Sequence, residues 1–289
     1  QLAGSPHPRI ALPPQLYGAQ RLNSNGLDLA SEVALNELDQ ALTEHGHQDW
    51  LACPIIAGQP SNHPTALPVL NPAQHSDIVG RVIEAELDDV EHALSAATAA
   101  AGRWAATSPI ERANLIEAFA DQLEAQRSSF LALAVREAGK TFANAVAEVR
   151  EAVDFCHYYA LQIRGGDGIV FSPERTPAVG PVVAISPWNF PLAIFVGEVI
   201  AAIAAGNPVL AKPAEQTALI AAHAVRLMHQ AGIPHDVVQF LPGRGETVGA
   251  ALSSDPRVQG VIFTGSTEVA QIISRAVAKH AHDVALIAE

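Results

Sequence analysis

Val182-Val183-Ala184-Ile185 runs into Ser186-Pro187-Trp188-Asn189-Phe190-Pro191, and an apolar helical period follows from about Leu192; this unit decides the fold. A short run with no polar position is what a strand covered on both faces requires. The unit repeats as Pro208-Val209-Leu210-Ala211 before a helix near Thr217 to Ala231, and as Val237-Val238-Gln239-Phe240 before a helix near Glu246 to Ser253. It recurs as Gly260-Val261-Ile262-Phe263 before a helix near Thr267 to His280, and closes on Val284-Ala285-Leu286-Ile287. Five apolar strands with helical crossovers predict an α/β fold with a Rossmann-like, doubly wound, five-stranded parallel sheet over 179–289.

Upstream, four helical periods form a layer over 86–164: from Asp88-Asp89 to Ala106, from Ser108-Pro109 onward, about Ser128 to Gly139, and about Phe142 to Ile163, ending at Gly165-Gly166. Acidic residues favour a helix start, and Ser followed by Pro makes a cap and a first helical position. Residues from Pro54 to Ala85 alternate turn formers with pairs such as Ile55-Ile56 and Ile78-Val79, predicting short strands. Residues 1–54 read as a connector or arm with one helix near Leu29 to Thr43, so the domain boundary is placed between 54 and 55.

With 289 residues, 49% hydrophobic and 16% charged, the chain can bury a large core, and a soluble protein is expected. A formal charge of -13 disfavours phosphate backbones, which excludes nucleic acid as a partner of this segment. Cys53 and Cys156 are too few and too far apart for a disulfide framework or a zinc site, and with no secretory signal a reducing cytoplasm is expected. The start, Gln1 to Pro8, is read as internal to a longer protein. Leu192 to Gly206 contains Glu198 and falls short of the roughly 20 residues of a membrane span, so a buried helix is predicted. His45-Gly46-His47 and His280-Ala281-His282 lack supporting ligands, so no metal site is expected and these histidines are read as solvated.

Ligands of a doubly wound sheet bind beyond the carboxyl ends of its strands, which directs attention to the turns. Lys212 and Glu215 leave one turn and can converge on a ribose, the carboxylate favouring NAD over a 2′-phosphorylated analogue; a surface ion pair at a helix start accounts for the same two residues. Phe263-Thr264-Gly265-Ser266-Thr267 joins a strand to a helix in the manner of a pyrophosphate site, or of a plain Ser cap. Gly243-Arg244-Gly245-Glu246-Thr247-Val248-Gly249 has the wrong spacing and place for a Rossmann fingerprint. In Ser186 to Pro191 two prolines bracket Asn189, whose amide is expected to be fixed so that it can donate to an oxyanion.

Taken in order, Pro187-Trp188-Asn189-Phe190-Pro191, Lys212-Pro213-Ala214-Glu215, Phe263-Thr264-Gly265-Ser266-Thr267 and Glu289 resemble the aldehyde dehydrogenase superfamily, with Glu137-Ala138-Gly139-Lys140 and Glu148-Val149 resembling its upstream helices. Pro8 to Pro13, Leu16-Tyr17-Gly18 and Asn23 to Leu29 narrow the resemblance to Δ1-pyrroline-5-carboxylate dehydrogenase modules of bifunctional bacterial proline-utilisation enzymes. The resemblance implies NAD as cofactor and glutamate γ-semialdehyde as substrate, which a cysteine thiolate attacks before hydride passes to NAD and water releases glutamate. It implies catalytic roles for Asn189 (oxyanion) and Glu289 (hydrolytic water). For the cofactor it implies Lys212, Ala214 and Glu215 at the ribose, Ser266 with Phe263, Thr264 and Gly265 at the pyrophosphate, Gly243 and Gly245 nearby, and Ile185, Ser186, Pro187 and Trp188 along the nicotinamide wall. A proline dehydrogenase domain in the same parent chain and a homo-oligomeric parent are implied as well. Two departures stand out: Ala270 replaces a frequent Gly, and neither Cys53 nor Cys156 matches the nucleophile motif, which is expected some tens of residues beyond Glu289. The chain as given is therefore expected to lack the catalytic domain and to oxidise no aldehyde. An inactive dinucleotide-binding module and a dehydrogenase for another aldehyde are the competing readings.

Overall fold

The computed structural model describes residues 7–18, 21–46, 48–61, 63–165, 176–280 and 283–289; residues 1–6, His47, Gly166 and His282 lie outside them. Its first helix, α1 (Glu32–Gly46), starts three residues later than the apolar period suggests, because Asp28 and Ser31 accept from the amides of Ala30 and Ala34 and turn the chain first. Strand β1 (Trp50–Ala52) follows, then the short β2 (Ile55–Ile56) and β3 (Gln59–Pro60), and the hairpin of β4 (Leu67–Asn71) and β5 (Gln74–Val82). Leu38, Trp50 and Ala52 from the expected arm enter the main core, and α1 lies along the third helix of the helical layer.

That layer is α2 (Leu87–Ala106), α3 (Pro109–Ala125), α4 (Arg127–Ala138) and α5 (Phe142–Ile163). Its capping follows the sequence: Ser108 accepts from the Glu111 amide with Pro109 behind it, Thr141 accepts from the Asn144 amide, and Gly139 ends α4 at φ +66°.

The sheet region alternates as read: β6 (Val182–Ile185), α6 (Ala193–Ala204), β7 (Val209–Lys212), α7 (Ala218–Gln230), β8 (Val238–Phe240), α8 (Ala250–Ser254), β9 (Gly260–Phe263), α9 (Thr267–Val277) and β10 (Ala285–Ala288). The order β10-β9-β6-β7-β8 is parallel throughout, and β2 and β3 add two antiparallel strands beyond β8, so the sheet has seven strands instead of the five expected. The helix expected from Glu246 opens instead as a π-helical turn (Gly245–Gly249) that leads into α8.

Side-chain alternation explains why the strands read as continuously apolar. Val182, Ala184, Val209 and Ala211 pack into the cluster under α3, α5, α6 and α7, whereas Val183, Leu210, Val261 and Phe263 pack under α2, α8 and α9. Sequence order reverses between β6 and β9, which creates a topological switch point at their carboxyl ends.

Among the described residues no helix is long and apolar enough to cross a membrane, and no group of three His, Cys, Asp or Glu could hold a metal ion. Two histidines of α7, outside the pairs read from the sequence, are held within the packing. His223 packs against Trp50 and Phe130 and meets the Ser129 hydroxyl at 2.9 Å, and His229 meets the Val238 carbonyl at 3.1 Å. Burial holds both imidazoles down to about 4. The unfolded chain, with histidines near 6.5, therefore binds more protons between pH 6.5 and 4, so stability is lost as pH falls through that window, by up to about 3 kcal/mol per histidine. In urea melts at pH 7 and pH 4.5, His223→Gln should keep the Ser129 contact and shrink the acid-induced loss relative to the parent sequence; an unchanged loss would remove His223 from the account.

Candidate functional site

Carboxyl groups satisfy amides at the starts of two of the four crossover helices and at the start of the π-helical turn that leads into a third. Glu148 on α5 is buried, and its Oε2 accepts from the amides of Leu192 and Ala193 at 3.2 and 2.9 Å, at the start of α6. Its Oε1 meets the Lys140 ammonium at 2.8 Å, and that ammonium lies 4.7 Å from the centre of the Phe190 ring. Glu137 on α4, also buried, accepts from Leu219 and Ile220 at 2.7 and 2.9 Å at the start of α7. Burial pushes the Glu137 carboxyl up to about 8 against the pull of those two amides. At the turn into α8, Glu215 Oε1 accepts from the Gly245 amide at 2.7 Å.

An anion placed at a helix start gains from the exposed amides and the aligned peptide dipoles, so these positions are already filled. Only α9 differs. Its cap is the neutral Ser266 hydroxyl, which accepts from the Val269 amide at 3.3 Å, and Glu268 in its first turn is solvent-exposed without a hydrogen bond to these amides. Of the four, this is the helix start open to an external anion, and it lies at the switch point.

Beside it runs a cleft of about 450 Å³, within the ~300–1,000 Å³ typical of small-ligand sites. Val269, Ile272 and Ala276 of α9 form one apolar wall and Gly249 and Ala250 another, with Ile185, Lys212 and Gly245 at its head. The side chain of Lys212 is only 3% exposed; its ammonium donates to the Pro213 carbonyl at 3.0 Å and lies 3.5 Å from Glu215 Oε1. Lys212 is thus no surface residue. Burial pushes its pKa down, while the carboxylates of Glu215, Glu246 and Glu84 pull it back up. Burial also pushes the Glu215 carboxyl up, but Lys212 and the Gly245 amide outweigh that effect and leave it below the ordinary value.

A second cleft of about 340 Å³ opens between α5 and α6 on the other side of the strand ends, lined by Glu151, Tyr159, Glu198, Phe263, Thr264 and Glu289 among others. Backbone bonds tie the two clefts together: Thr264 N to Ile185 O at 3.2 Å, Gly265 N to Glu289 O at 3.0 Å, and Glu289 N to Phe263 O at 3.0 Å. The expected residues therefore divide. Ile185, Lys212, Glu215 and Gly245 gather at the first cleft and Phe263, Thr264 and Glu289 at the second, with Gly265 and Ser266 at the α9 start between them.

Other expected residues support this frame. Ser186 is buried, with its amide on the Lys212 carbonyl at 3.2 Å, and Ala214 leads the short turn carrying Glu215. Gly243, at φ +156°, and Gly265 are glycines for steric reasons, since added Cβ atoms would meet Val248 at 2.7 Å and the Phe263 ring at 2.6 Å. Pro187 is half-buried, whereas Trp188 and Phe190 project from the loop, 58% and 40% exposed. Asn189 is exposed and lines neither cleft; the prolines stiffen its backbone, but its carboxamide has no hydrogen-bond partner among the described residues, so nothing locks the amide. Cys53 and Cys156 are both buried thiols, pushed up by burial, and line neither cleft.

Sequence reading singled out neither Glu137 nor Glu148 as a cap, nor Glu198 as a group in a cleft. One available signal was the exposed apolar pair Val269 and Ile272, three residues apart on α9, which marks a cleft-facing side distinct from the core side of Ile273 and Val277.

Residues 59–288 match the aldehyde dehydrogenase family. The chain is 55% identical over 276 residues to the bifunctional protein PutA of Klebsiella aerogenes, covering 96% of this chain and 21% of that protein. It is 37% identical over 235 residues to the 1-pyrroline-5-carboxylate dehydrogenase of Anoxybacillus flavithermus, covering 78% of this chain and 46% of the relative. Among solved structures, proline utilization A from Bdellovibrio bacteriovorus inactivated by N-propargylglycine superposes with a TM-score of 0.86 at 30% identity over 94% of this chain and 30% of that one. A 1-pyrroline-5-carboxylate dehydrogenase from Thermus with bound NAD gives 0.84 at 32% identity over 92% and 54%. The chain thus spans about a fifth to a half of these curated relatives.

Removing one member of a buried, hydrogen-bonded ion pair leaves the other uncompensated, at about 3–5 kcal/mol. Glu148→Ala should destabilise the chain by that order and accelerate hydrogen exchange at the Leu192 and Ala193 amides. Unchanged protection at both amides would mean that Glu148 does not hold the start of α6.

Proposed function

The chain belongs to the aldehyde dehydrogenase family, and from that premise we propose that it is the NAD-binding part of an enzyme oxidising glutamate γ-semialdehyde to glutamate. The observation that carries the reading is the buried Lys212 ammonium, 3.5 Å from the exposed Glu215 carboxylate, at an apolar cleft beside the one crossover-helix start without a carboxyl cap. An ammonium and a carboxylate 3.5 Å apart offer a donor and an acceptor to the two hydroxyls of a ribose. The apolar faces of α9 and α8 suit a flat base, and the α9 amides with the Ser266 hydroxyl suit a pyrophosphate.

Charge favours NAD over its 2′-phosphorylated counterpart. The Glu215 carboxylate lies 3.5 Å from Lys212, and the charges of Glu246 and Glu84 act on the same ammonium, which disfavours a 2′-phosphate at this end of the cleft, away from Arg275 and Lys279. The solved relative with bound NAD supports the same cofactor.

When bound, NAD supplies the hydride acceptor. In this reading Asn189 is the amide donor toward a developing oxyanion, Glu289 takes a proton from the hydrolytic water, and Ile185, Ser186, Pro187 and Trp188 wall the nicotinamide. Neither Cys53 nor Cys156 is the nucleophile, since both thiols are buried away from the clefts. The chain as given therefore turns over no aldehyde, and the thiolate comes from elsewhere in the complete protein. The same reading includes a proline dehydrogenase domain as partner in a homo-oligomeric, cytoplasmic parent, and likeness to a bifunctional relative supports the two-domain part of it.

Calorimetric titration should give tighter binding of NAD than of NADP by at least about tenfold, or 1.4 kcal/mol, with the gap narrowed in Glu215→Ala. Equal affinities in the parent sequence would overturn the cofactor assignment. In the complete encoded protein, Cys53→Ser and Cys156→Ser should both keep semialdehyde turnover, and the semialdehyde should be preferred to simple aliphatic aldehydes. Binding of NAD with no turnover by the complete protein would favour an inactive dinucleotide-binding module.

A further inference from the structure

The corner between α4 and α5 reaches across to the loop that carries Asn189. Gly139 ends α4 in the left-handed region, the Lys140 amide donates to the Ala134 carbonyl at 3.1 Å, and Thr141 caps α5 at once, so the backbone of Lys140 is fixed on both sides. Its ammonium then has two neighbours. One is the buried Glu148 carboxylate at 2.8 Å, and the other is the ring of Phe190, whose centre lies 4.7 Å away. An ammonium within about 6 Å of a ring centre is drawn to the negative face of the ring, more strongly where solvent is excluded, and the Lys140 side chain is 15% exposed.

The loop from Ser186 to Pro191 is anchored at its two ends, by the Ser186 amide on the Lys212 carbonyl and by Glu148 on the amides of Leu192 and Ala193. Asn189 lies between these anchors with its carboxamide unpartnered, so whatever restrains it acts through the backbone. Of the side chains from Pro187 to Pro191, that of Phe190 alone meets a charged or aromatic group among the described residues. Neutralisation of Glu148 accounts for the ion pair with Lys140. It does not account for an aromatic side chain brought over the same ammonium from the residue next to Asn189. One buried carboxylate thus holds the start of α6 directly and, through Lys140, the middle of the loop.

We propose that Lys140 is a positioning residue for this loop: by holding the Phe190 ring it narrows the arc open to the neighbouring Asn189 and keeps the Asn189 amide available to a developing oxyanion. The proposal rests on the reading of Asn189 given above. Lys140 touches no substrate, and no bond or proton changes hands at its ammonium. Its charge is also felt by Glu151 in the second cleft, so a substitution that removes the ring and leaves the charge separates the two effects.

Two measurements on the complete encoded protein test this, the first independent of turnover. The fluorescence of Trp188, the residue before Asn189, is isolated by subtracting that of a matching Trp188→Phe protein. Lys140→Met and Phe190→Leu should each enlarge the fast phase of its anisotropy decay, and Lys140→Arg, which keeps a cation under the ring, should leave it near the parent value. An unchanged fast phase in Phe190→Leu overturns the proposal. In the second, single-turnover formation of NADH from the semialdehyde should slow at least about threefold in Phe190→Leu, which retains the Lys140–Glu148 pair, with NAD affinity within about twofold of the parent. The double variant should be no slower than Lys140→Met alone, because the two substitutions remove one contact. An unchanged rate in Phe190→Leu, or single effects that multiply in the double variant, overturns it. Lys140→Met leaves Glu148 uncompensated; where that variant does not fold, Phe190→Leu and Lys140→Arg decide the outcome. Absence of NADH formation by the parent protein would instead sink the function reading, and the anisotropy decay alone would then decide whether Lys140 holds the loop.

Discussion

The arrangement of this site depends on where carboxyl groups meet helix starts. Glu148, Glu137 and Glu215 occupy the amides at the starts of α6, α7 and the turn into α8, and the helical layer is docked on the sheet through the first two. In a conventional dinucleotide fold the pyrophosphate lies on the helix after the first strand. Here that start belongs to Glu148, a buried anion already held by Lys140, and a ligand phosphate would have to displace it. Four crossover helices thus reduce to one place, at α9, where an external anion gains without competing with a resident one.

The same economy governs the cleft beside α9. Lys212 could in principle serve as a general phosphate hook, but it is buried, lies 3.5 Å from the Glu215 carboxylate and feels the charges of Glu246 and Glu84 as well. Its charge is spent within the protein, and what it presents outward is a hydrogen-bond donor of fixed position next to a fixed acceptor. That combination suits a neutral polyol better than a phosphate. Beyond the strand ends, the backbone bonds joining Ile185, Phe263, Thr264, Gly265 and Glu289 tie the turns that line the second cleft to those that line the first.

What could be read from the sequence was local. The apolar strands were legible because burial on both faces removes every polar position, and Val182 to Ile185 and Gly260 to Phe263 fall where the pattern put them. Phe142–Ile163 was legible to its last residue because Thr141 and the apolar period mark it chemically. The π-helical turn at Gly245–Gly249 was not, since its geometry answers to a carboxylate 30 residues away. Glu148 and Glu137 were equally hidden as caps, 44 to 83 residues from the amides they hold. In the sequence Glu198 is only the charge that spoils a membrane span. Its lack of a hydrogen-bond partner is a property of three-dimensional packing that spacing does not encode, and the burial of the α7 histidines is hidden for the same reason.

The central claim is that one dinucleotide lies along α9, its ribose at Lys212 and Glu215 and its pyrophosphate at the Ser266 cap. A crystal structure of the protein grown with NAD tests this most directly. The account predicts ribose oxygens within hydrogen-bonding distance of Lys212 Nζ and a Glu215 oxygen, phosphate oxygens on the first amides of α9, and Glu148 still bound to Leu192 and Ala193. A pyrophosphate seated on the start of α6, with Glu148 displaced, would contradict it.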